Sequence, residues 1–437
     1  MRWKSVDYTG WGRALSAAGE IARPERQSAL ADGFAARPAP AIGNCRSYGD
    51  ACLNSDGGAI DMTRLDKLLS FDAETGVIEV EAGLTIGELA RIMAPRGWLP
   101  MVMPGTGFAT IGGAIAHDVH GKNHHGVGSF GQHVLALTLL SEGKSRIITP
   151  GKNTKLFKAT LGGLGQTGVI TSAKLQLNRC KGDIVAVTER RVENLDAFLA
   201  LLDASDATYS VGWIDATAKG ADLGRGILEE AETGAGLVPA PKPSKSVPFN
   251  APGFALSPPI VRLFNALYYR RVPKAGRTVV KPISEFFFPL DRIHNWNRLY
   301  GKAGFHQFQC VVPLAAGEAI REMLARISDA GIASPLAVLK RMGPGRGGYM
   351  SFPMEGYTLA VDFRNRRGAE TLIKMLEDIT AEAGGRIYLA KDSLSSAARV
   401  RSMYPEYRAW ADEVKKADPE GAMSTDLVRR LGLRDKA

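Results

Sequence analysis

The sequence predicts an α+β protein of two domains, and three observations carry that reading. Between Ile42 and Leu177, short β-rich runs alternate with short helical stretches. Three glycine-rich loops, at residues 43–50, 104–133 and 162–168, each abut β structure in that part of the chain. From about Asp183 glycine thins out and strands alternate with longer helices, so a second α+β domain, a sheet with helices on one side, begins there. A length of 437 residues suits two or three domains with ample cores.

Taken in order, residues 1–40 hold few long apolar runs and end in A-A-R-P-A-P-A, a lead into Ile42 and the turn I-G-N-C-R-S-Y-G-D. Residues 68–82 read as a hairpin turning at Asp72 and Gly76. Thr85 and Glu88 form a capping box that starts a short helix, which Pro95 and Gly97 end. A second hairpin, 134–140 with 145–149, crosses Glu142 and Gly143; a helix over 156–161 and the loop G-G-L-G-Q-T-G lead to a half-buried strand at 169–177. Leu195, Phe198, Leu199 and Leu202 share a helix face, and 207–214 reads as a strand. Seven prolines from Pro239 to Pro259 predict a long, mobile surface loop. Strands at 307–312 and 358–363 alternate with helices at 317–330 and 369–383; a strand at 386–390, the triplet K-D-S and short helices follow, with Y-P-E-Y-R-A-W packing the last of them.

Composition excludes several classes. With 45% apolar and 23% charged residues this is an ordinary globular chain, and no eighteen-residue apolar run is available to cross a membrane. The N-terminus lacks the apolar core of a secretory signal, and the four cysteines, Cys45, Cys52, Cys180 and Cys310, form no C-x-x-C pair, which fits a reducing, cytoplasmic setting. The net charge of +10 comes from dispersed lysines and arginines without a basic run, so anionic lipid or a phosphate-bearing substrate suits it better than nucleic acid.

The richest stretch is residues 104–133, with eight glycines and five of the seven histidines. Without a side chain, glycine lets backbone N–H groups approach a polyanion, so a pyrophosphate is the natural occupant. Neither G-x-G-x-x-G opening a helix nor G-x-x-x-x-G-K-[ST] is present, so the nucleotide site is of another kind. His117, His120, His124 and His125 raise a metal hydrolase as an alternative, but Gly121 and Gly126 break any helix that would align them and no H-E-x-x-H occurs. Hydrogen bonding to cofactor or substrate is the better reading, with no metal bound, while Lys122 is open to pairing with a phosphate or to being a solvated loop lysine.

These motifs, I-G-N-C-R-S-Y-G-D, P-G-T-x-x-x-T-I-G-G-A-I-A-x-D-V-H-G-K-N-H-H, G-G-L-G-Q-T-G, W-N-R-L-Y-G, Q-F-Q and A-K-D-S, resemble those of the decaprenylphosphoryl-β-D-ribose 2-oxidase family, flavoproteins of the vanillyl-alcohol-oxidase (PCMH) type. The resemblance spans nearly the whole chain. It implies an FAD domain made of residues 1–182 and the returning segment 386–437, with an antiparallel-sheet-plus-helices substrate domain, 183–385, inserted between them. By resemblance, FAD is held by Gly43, Asn44, Cys45, Arg46, Ser47, Tyr48, Gly49 and Asp50, by Gly105, Thr110, Ile111, Gly112 and Gly113, by His117, Asp118, Val119 and His120, and by Ile170 and the strand at Tyr388. Lys122, Trp213, Gln307, Gln309 and Lys391 match positions around the sugar phosphate. His120 or Lys391 then takes the hydroxyl proton or stabilises the alkoxide, while Tyr48 and Gln309 orient the sugar.

The resemblance implies oxidation of the 2-hydroxyl of a polyprenyl-phosphoryl ribose to a 2-keto intermediate, completed by a separate NADH-dependent reductase, with peripheral contact at the inner face of an anionic membrane. An alditol or aldonolactone oxidase that uses oxygen is the alternative within the superfamily. Flavinylated relatives carry a histidine where Arg46 stands, so the FAD is expected to be non-covalent. Cys45 replaces a glycine usual in that turn, and Ala360 stands where actinobacterial members often have a reactive cysteine.

Overall fold

The computed structural model describes residues 1–236 and 244–434. Its first sheet has the order Trp3–Thr9, Ser16–Ala22, Gly58–Asp61, Ala41–Ile42, antiparallel in the first pair and parallel in the other two. The opening hairpin escapes a reading by apolar runs because its strands, W-K-S-V-D-Y-T and S-A-A-G-E-I-A, are largely solvated.

The second sheet contains both predicted hairpins, Leu68–Phe71 with Val77–Glu81 and Val134–Ser141 with Lys144–Ile148. Gly76, Glu142 and Gly143 take the positive φ their turns require, at 73°, 49° and 70°. Thr85 Oγ1 accepts the Glu88 N–H at 3.2 Å and caps the helix Ile86–Met93, while the Glu88 carboxylate binds Arg91 instead of closing the capping box. Val169–Arg179, at the centre of this sheet between Val77–Glu81, Trp98–Pro100 and Val134–Ser141, is buried on both faces over residues 169–173 and half-buried, with the expected alternation of Ala173, Leu175 and Leu177, beyond them.

The third sheet is antiparallel and eight-stranded: Arg277–Pro282, Ile184–Val192, Gly226–Gly234, Tyr209–Ile214, Ala333–Met342, Gly356–Arg364, Phe305–Val312, Arg386–Ile387. Helices Leu195–Ala204, Gly317–Ala330 and Ala369–Glu382 cover one of its faces. Side chains alternate across the sheet: Phe308, Cys310, Leu359 and Val361 enter the core beneath the helices, whereas Gln307, Gln309, Thr358 and Ala360 point into a cavity on the opposite face. That polar inner face, set in otherwise apolar strands, positions the site.

Two expectations are corrected here. Pro258 and Pro259 do not belong to a loop but open the helix Pro258–Arg270, where a missing N–H costs nothing in the first turn. Pro239, Pro241 and Pro243 lie outside the described residues. The strand expected at 386–390 ends at Ile387, and the chain then turns, with the Lys391 N–H donating to the Tyr388 carbonyl at 2.8 Å. Tyr404 and Trp410 are wholly buried, so the C-terminal aromatic run is packing. Among the described residues no helix is long and apolar enough to cross a membrane.

Candidate active site

A cavity of about 700 Å³ lies between the glycine-rich turns and the polar face of the eight-stranded sheet. Most expected site residues line it: Gly43 to Tyr48, Gly105, Thr110, Gly112, Gly113, His117, Val119, His120, Lys122, Ile170, Trp213, Gln307, Gln309, Tyr388 and Lys391. Four others stand behind its walls. Ile111 is in the core; Asp118 accepts Ser129 Oγ (2.8 Å), Gly131 N (2.7 Å) and Gly347 N (2.8 Å) and so ties loops together. Gly49 lies so close to the Asp392 carbonyl that a Cβ would sit 1.8 Å from it, and Asp50 pairs with Arg430 at 2.7 Å.

At one end the cavity is a backbone cradle. Among the described residues, the N–H groups of Asn44, Cys45, Arg46 and Ser47 find no backbone acceptor. Cys45 has φ of 47°, the left-handed step that turns successive N–H groups to one side. Asn44 Nδ2 donates to the Phe108 carbonyl at 2.9 Å, and the Arg46 guanidinium lies over Trp11 (4.0 Å) and Phe108 (4.4 Å) with its buried Nε unpartnered. Thr110 Oγ1 accepts the Gly113 N–H at 3.2 Å, and a Cβ on Gly43 would meet that oxygen at 2.4 Å.

At the other end are buried titratable groups. His120 sits between Lys340 Nζ, 3.1 Å from Nδ1, and Gln309 Nε2, 3.0 Å from Nε2; burial and then Lys340 hold it neutral, well below the usual imidazole range. His117 has an unpartnered Nδ1 and is pushed down to about 4 by burial and Lys391. Lys391 is half-buried with Nζ 3.6 Å over the Tyr48 ring; desolvation lowers it to about 7, against the pull of Asp362. Burial raises Asp362 to about 7, although it accepts Gln307 Nε2 at 2.5 Å and Tyr300 Oη at 2.8 Å. Burial likewise lowers Lys340 to about 7 and Lys122 to about 8, and Lys122 Nζ donates to the Phe286 carbonyl while lying 3.8 Å over its ring. The remaining histidines of the central stretch serve the backbone: His124 Nδ1 meets Gly343 N, His125 Nε2 the Ala207 carbonyl and His133 Nε2 the Val127 carbonyl.

Residues 35–150 match the model of an FAD binding domain family. Over 97% of both chains, the sequence is 36% identical to the decaprenylphosphoryl-beta-D-ribose oxidase of Mycolicibacterium smegmatis. The chain belongs to this oxidase family. It is also 32% identical, over 80% of this chain and the whole of the relative, to the "uncharacterized protein in mprA 5'region" of Streptomyces coelicolor. Identity to the L-gulono-1,4-lactone dehydrogenase of Mycobacterium tuberculosis is 23%, over 97% of this chain and 98% of the other.

Membership in the oxidase family makes this an FAD-dependent oxidoreductase of the two-domain PCMH type, and the cradle fits the cofactor. Four successive N–H donors with no backbone acceptor among the described residues, an orphaned guanidinium nitrogen beside them and a glycine whose Cβ would meet Thr110 suit a pyrophosphate. The reading from sequence missed Lys340, Asp362 and Tyr300. A signal for Asp362 was present: in T-L-A-V-D-F it shares the alternate face of Thr358 and Ala360, a charge on the cavity side of a buried strand. Lys340 was hidden because the strand Ala333–Met342 was not recognised.

Proposed function

We propose that this chain oxidises the 2-hydroxyl of a polyprenyl-phosphoryl-β-D-ribose to the 2-keto compound, which a separate NADH-dependent reductase completes. The supporting observation is that Lys122, Lys340 and Lys391, each held near neutrality by burial, line one cavity with the FAD cradle. A phosphodiester and a developing alkoxide are the anions such a wall suits. FAD in the cradle supplies the acceptor for the hydride that leaves carbon 2.

The residues divide the remaining work. His120 is engaged at both ring nitrogens, so it positions Gln309 and Lys340 rather than exchanging protons. Lys391 donates no side-chain hydrogen bond among the described residues, and with a pKa of about 7 a large share of it is neutral at physiological pH. Its Nζ accepts the hydroxyl proton; Gln307, aligned by Asp362, and Gln309 orient the sugar, and Tyr48 forms the floor under the amine. Cys45, Cys52, Cys180 and Cys310 form no disulfide, which supports a cytoplasmic enzyme working at the inner face of the membrane.

Absorbance between about 300 and 550 nm tests this reading. The FAD-loaded protein is expected to release its flavin into the supernatant on acid precipitation, because Arg46 offers no attachment point in the turn. Anaerobic polyprenyl-phosphoryl ribose should bleach the flavin bands. Bleaching only by free alditols or lactones would transfer the assignment to the other branch, which the likeness to the lactone dehydrogenase represents.

Ala360 gives a second expected result. It lines the cavity, while the neighbouring Cys310 faces the core, and burial raises that thiol to about 12. Inhibitors that act by bonding a cysteine at position 360 are expected to leave the intact mass unchanged. An adduct mapped to the strand Gly356–Arg364 would refute this.

A further inference from the structure

The helix Pro258–Arg270 is mounted with its apolar side outward. Asn265 faces the protein, wholly buried, and donates to Asp215 Oδ1 at 2.7 Å. Ile260, Leu263, Phe264 and Leu267, at the i, i+3, i+4, i+7 spacing of one helix face, are 42%, 62%, 48% and 62% exposed. Arg262 and Arg270 are exposed on the same helix, and Phe249 and Phe254 on the segment before it are 70% and 69% exposed. An apolar stripe of this kind on a folded domain marks a binding surface.

Charge and continuity with the cavity identify the occupant. Of the ten lysines and arginines in residues 244–302, Arg271, Arg277 and Lys281 pair with Glu189 and Glu229, and Arg292 with Glu285, which leaves Lys245, Arg262, Arg270, Lys274 and Lys302 exposed and without an acidic partner among the described residues. A second copy presenting the same face would bring like charges together, whereas an anionic bilayer complements them and accepts the apolar stripe. The stripe is also continuous with the site. Phe264 stacks on Tyr268 (5.7 Å between centroids, 16° between planes), and Tyr268 lies 4.7 Å from Trp213; both Tyr268 and Trp213 line the cavity.

We propose that the outward face of the helix Pro258–Arg270 inserts shallowly into an anionic membrane and sets the cavity mouth against the bilayer. The aromatic path Phe264, Tyr268, Trp213 then guides the isoprenoid end of the substrate while the sugar phosphate enters; this role for the path rests on the substrate reading above. The helix of 13 residues, about 20 Å long, lies along the interface rather than across it.

Flotation of the FAD-loaded, full-length protein with vesicles of phosphatidylglycerol and phosphatidylcholine tests the surface without using catalysis. Wild type is expected to float with the vesicles, and Leu263→Glu/Leu267→Glu, two exposed positions outside the cavity lining, to partition at least about tenfold less. The variant should oxidise a short-chain, water-soluble polyprenyl-phosphoryl ribose at the wild-type rate and lose activity only on vesicle-borne substrate. Equal flotation of both proteins, no flotation of wild type, or a wild-type dimer that the double substitution splits would each overturn the proposal. Flotation that depends on the two leucines, in a protein that oxidises neither form of the lipid-linked sugar, would sink the substrate reading and leave the membrane surface standing.

Discussion

Replacing Lys391 by methionine is expected to lower kcat by about 10²- to 10⁴-fold, the range for loss of a positioned general base, with FAD content unchanged. Methionine keeps the unbranched stem that packs on Tyr48 and removes only the amine, and no hydrogen bond from that amine holds the fold among the described residues. The pH profile gives the sharper test. The neutral amine is the active form, so wild-type kcat/KM should rise with pH through about 7 as Lys391 loses its proton, and the variant should lose that limb. Arginine in its place stays charged throughout and should be as inactive as methionine. A profile unchanged in Lys391→Met, with a large loss in His120→Phe instead, would move the proton to the imidazole.

The glycine turns were legible because backbone that must approach a ligand restricts residue type locally, whereas Gln307 and Gln309 entered only through the family resemblance, since spacing does not show which side chains converge on one pocket. What escaped the sequence was pairing across long separations. In Ile184–Val192, the run T-E-R-R reads as solvated, yet Glu189 is wholly buried because Arg271 (3.0 Å), Arg277 (2.6 Å) and Lys281 (2.7 Å) converge on it. Lys122 lines the cavity as expected and also donates to the Phe286 carbonyl, a partner 164 residues away that spacing does not show. Asp50 stands in a motif read as cofactor-binding, but its side chain turns from the cradle to Arg430. Nothing in the spacing of residues could reveal that contact.

That contact underlies a second large effect. Arg430 Nε and Nη2 hold the Asp50 carboxylate at 2.7 and 2.9 Å, Nη2 also reaches Asp392 at 2.8 Å, and Nη1 donates to the Ser395 carbonyl at 2.7 Å. One guanidinium therefore clamps the first glycine turn to the segment that carries Lys391, where the Tyr48 N–H already donates to the Ala390 carbonyl at 2.9 Å. Arg430→Leu leaves two buried carboxylates without their shared cation, and urea unfolding is expected to show a loss of about 3–5 kcal/mol near neutral pH. The sign of the pH dependence follows from Asp50. Burial already raises its pKa and the Arg430 hydrogen bonds oppose that rise, so removing them raises it further. Between the unfolded pKa and that elevated value the folded variant binds more protons than the unfolded chain, and its stability falls as pH increases. The deficit relative to wild type should thus be smaller at pH 5 than at pH 8, and Arg430→Lys should recover part of it by restoring one charge. A deficit independent of pH would mean that lost packing, not the paired carboxylates, accounts for the clamp.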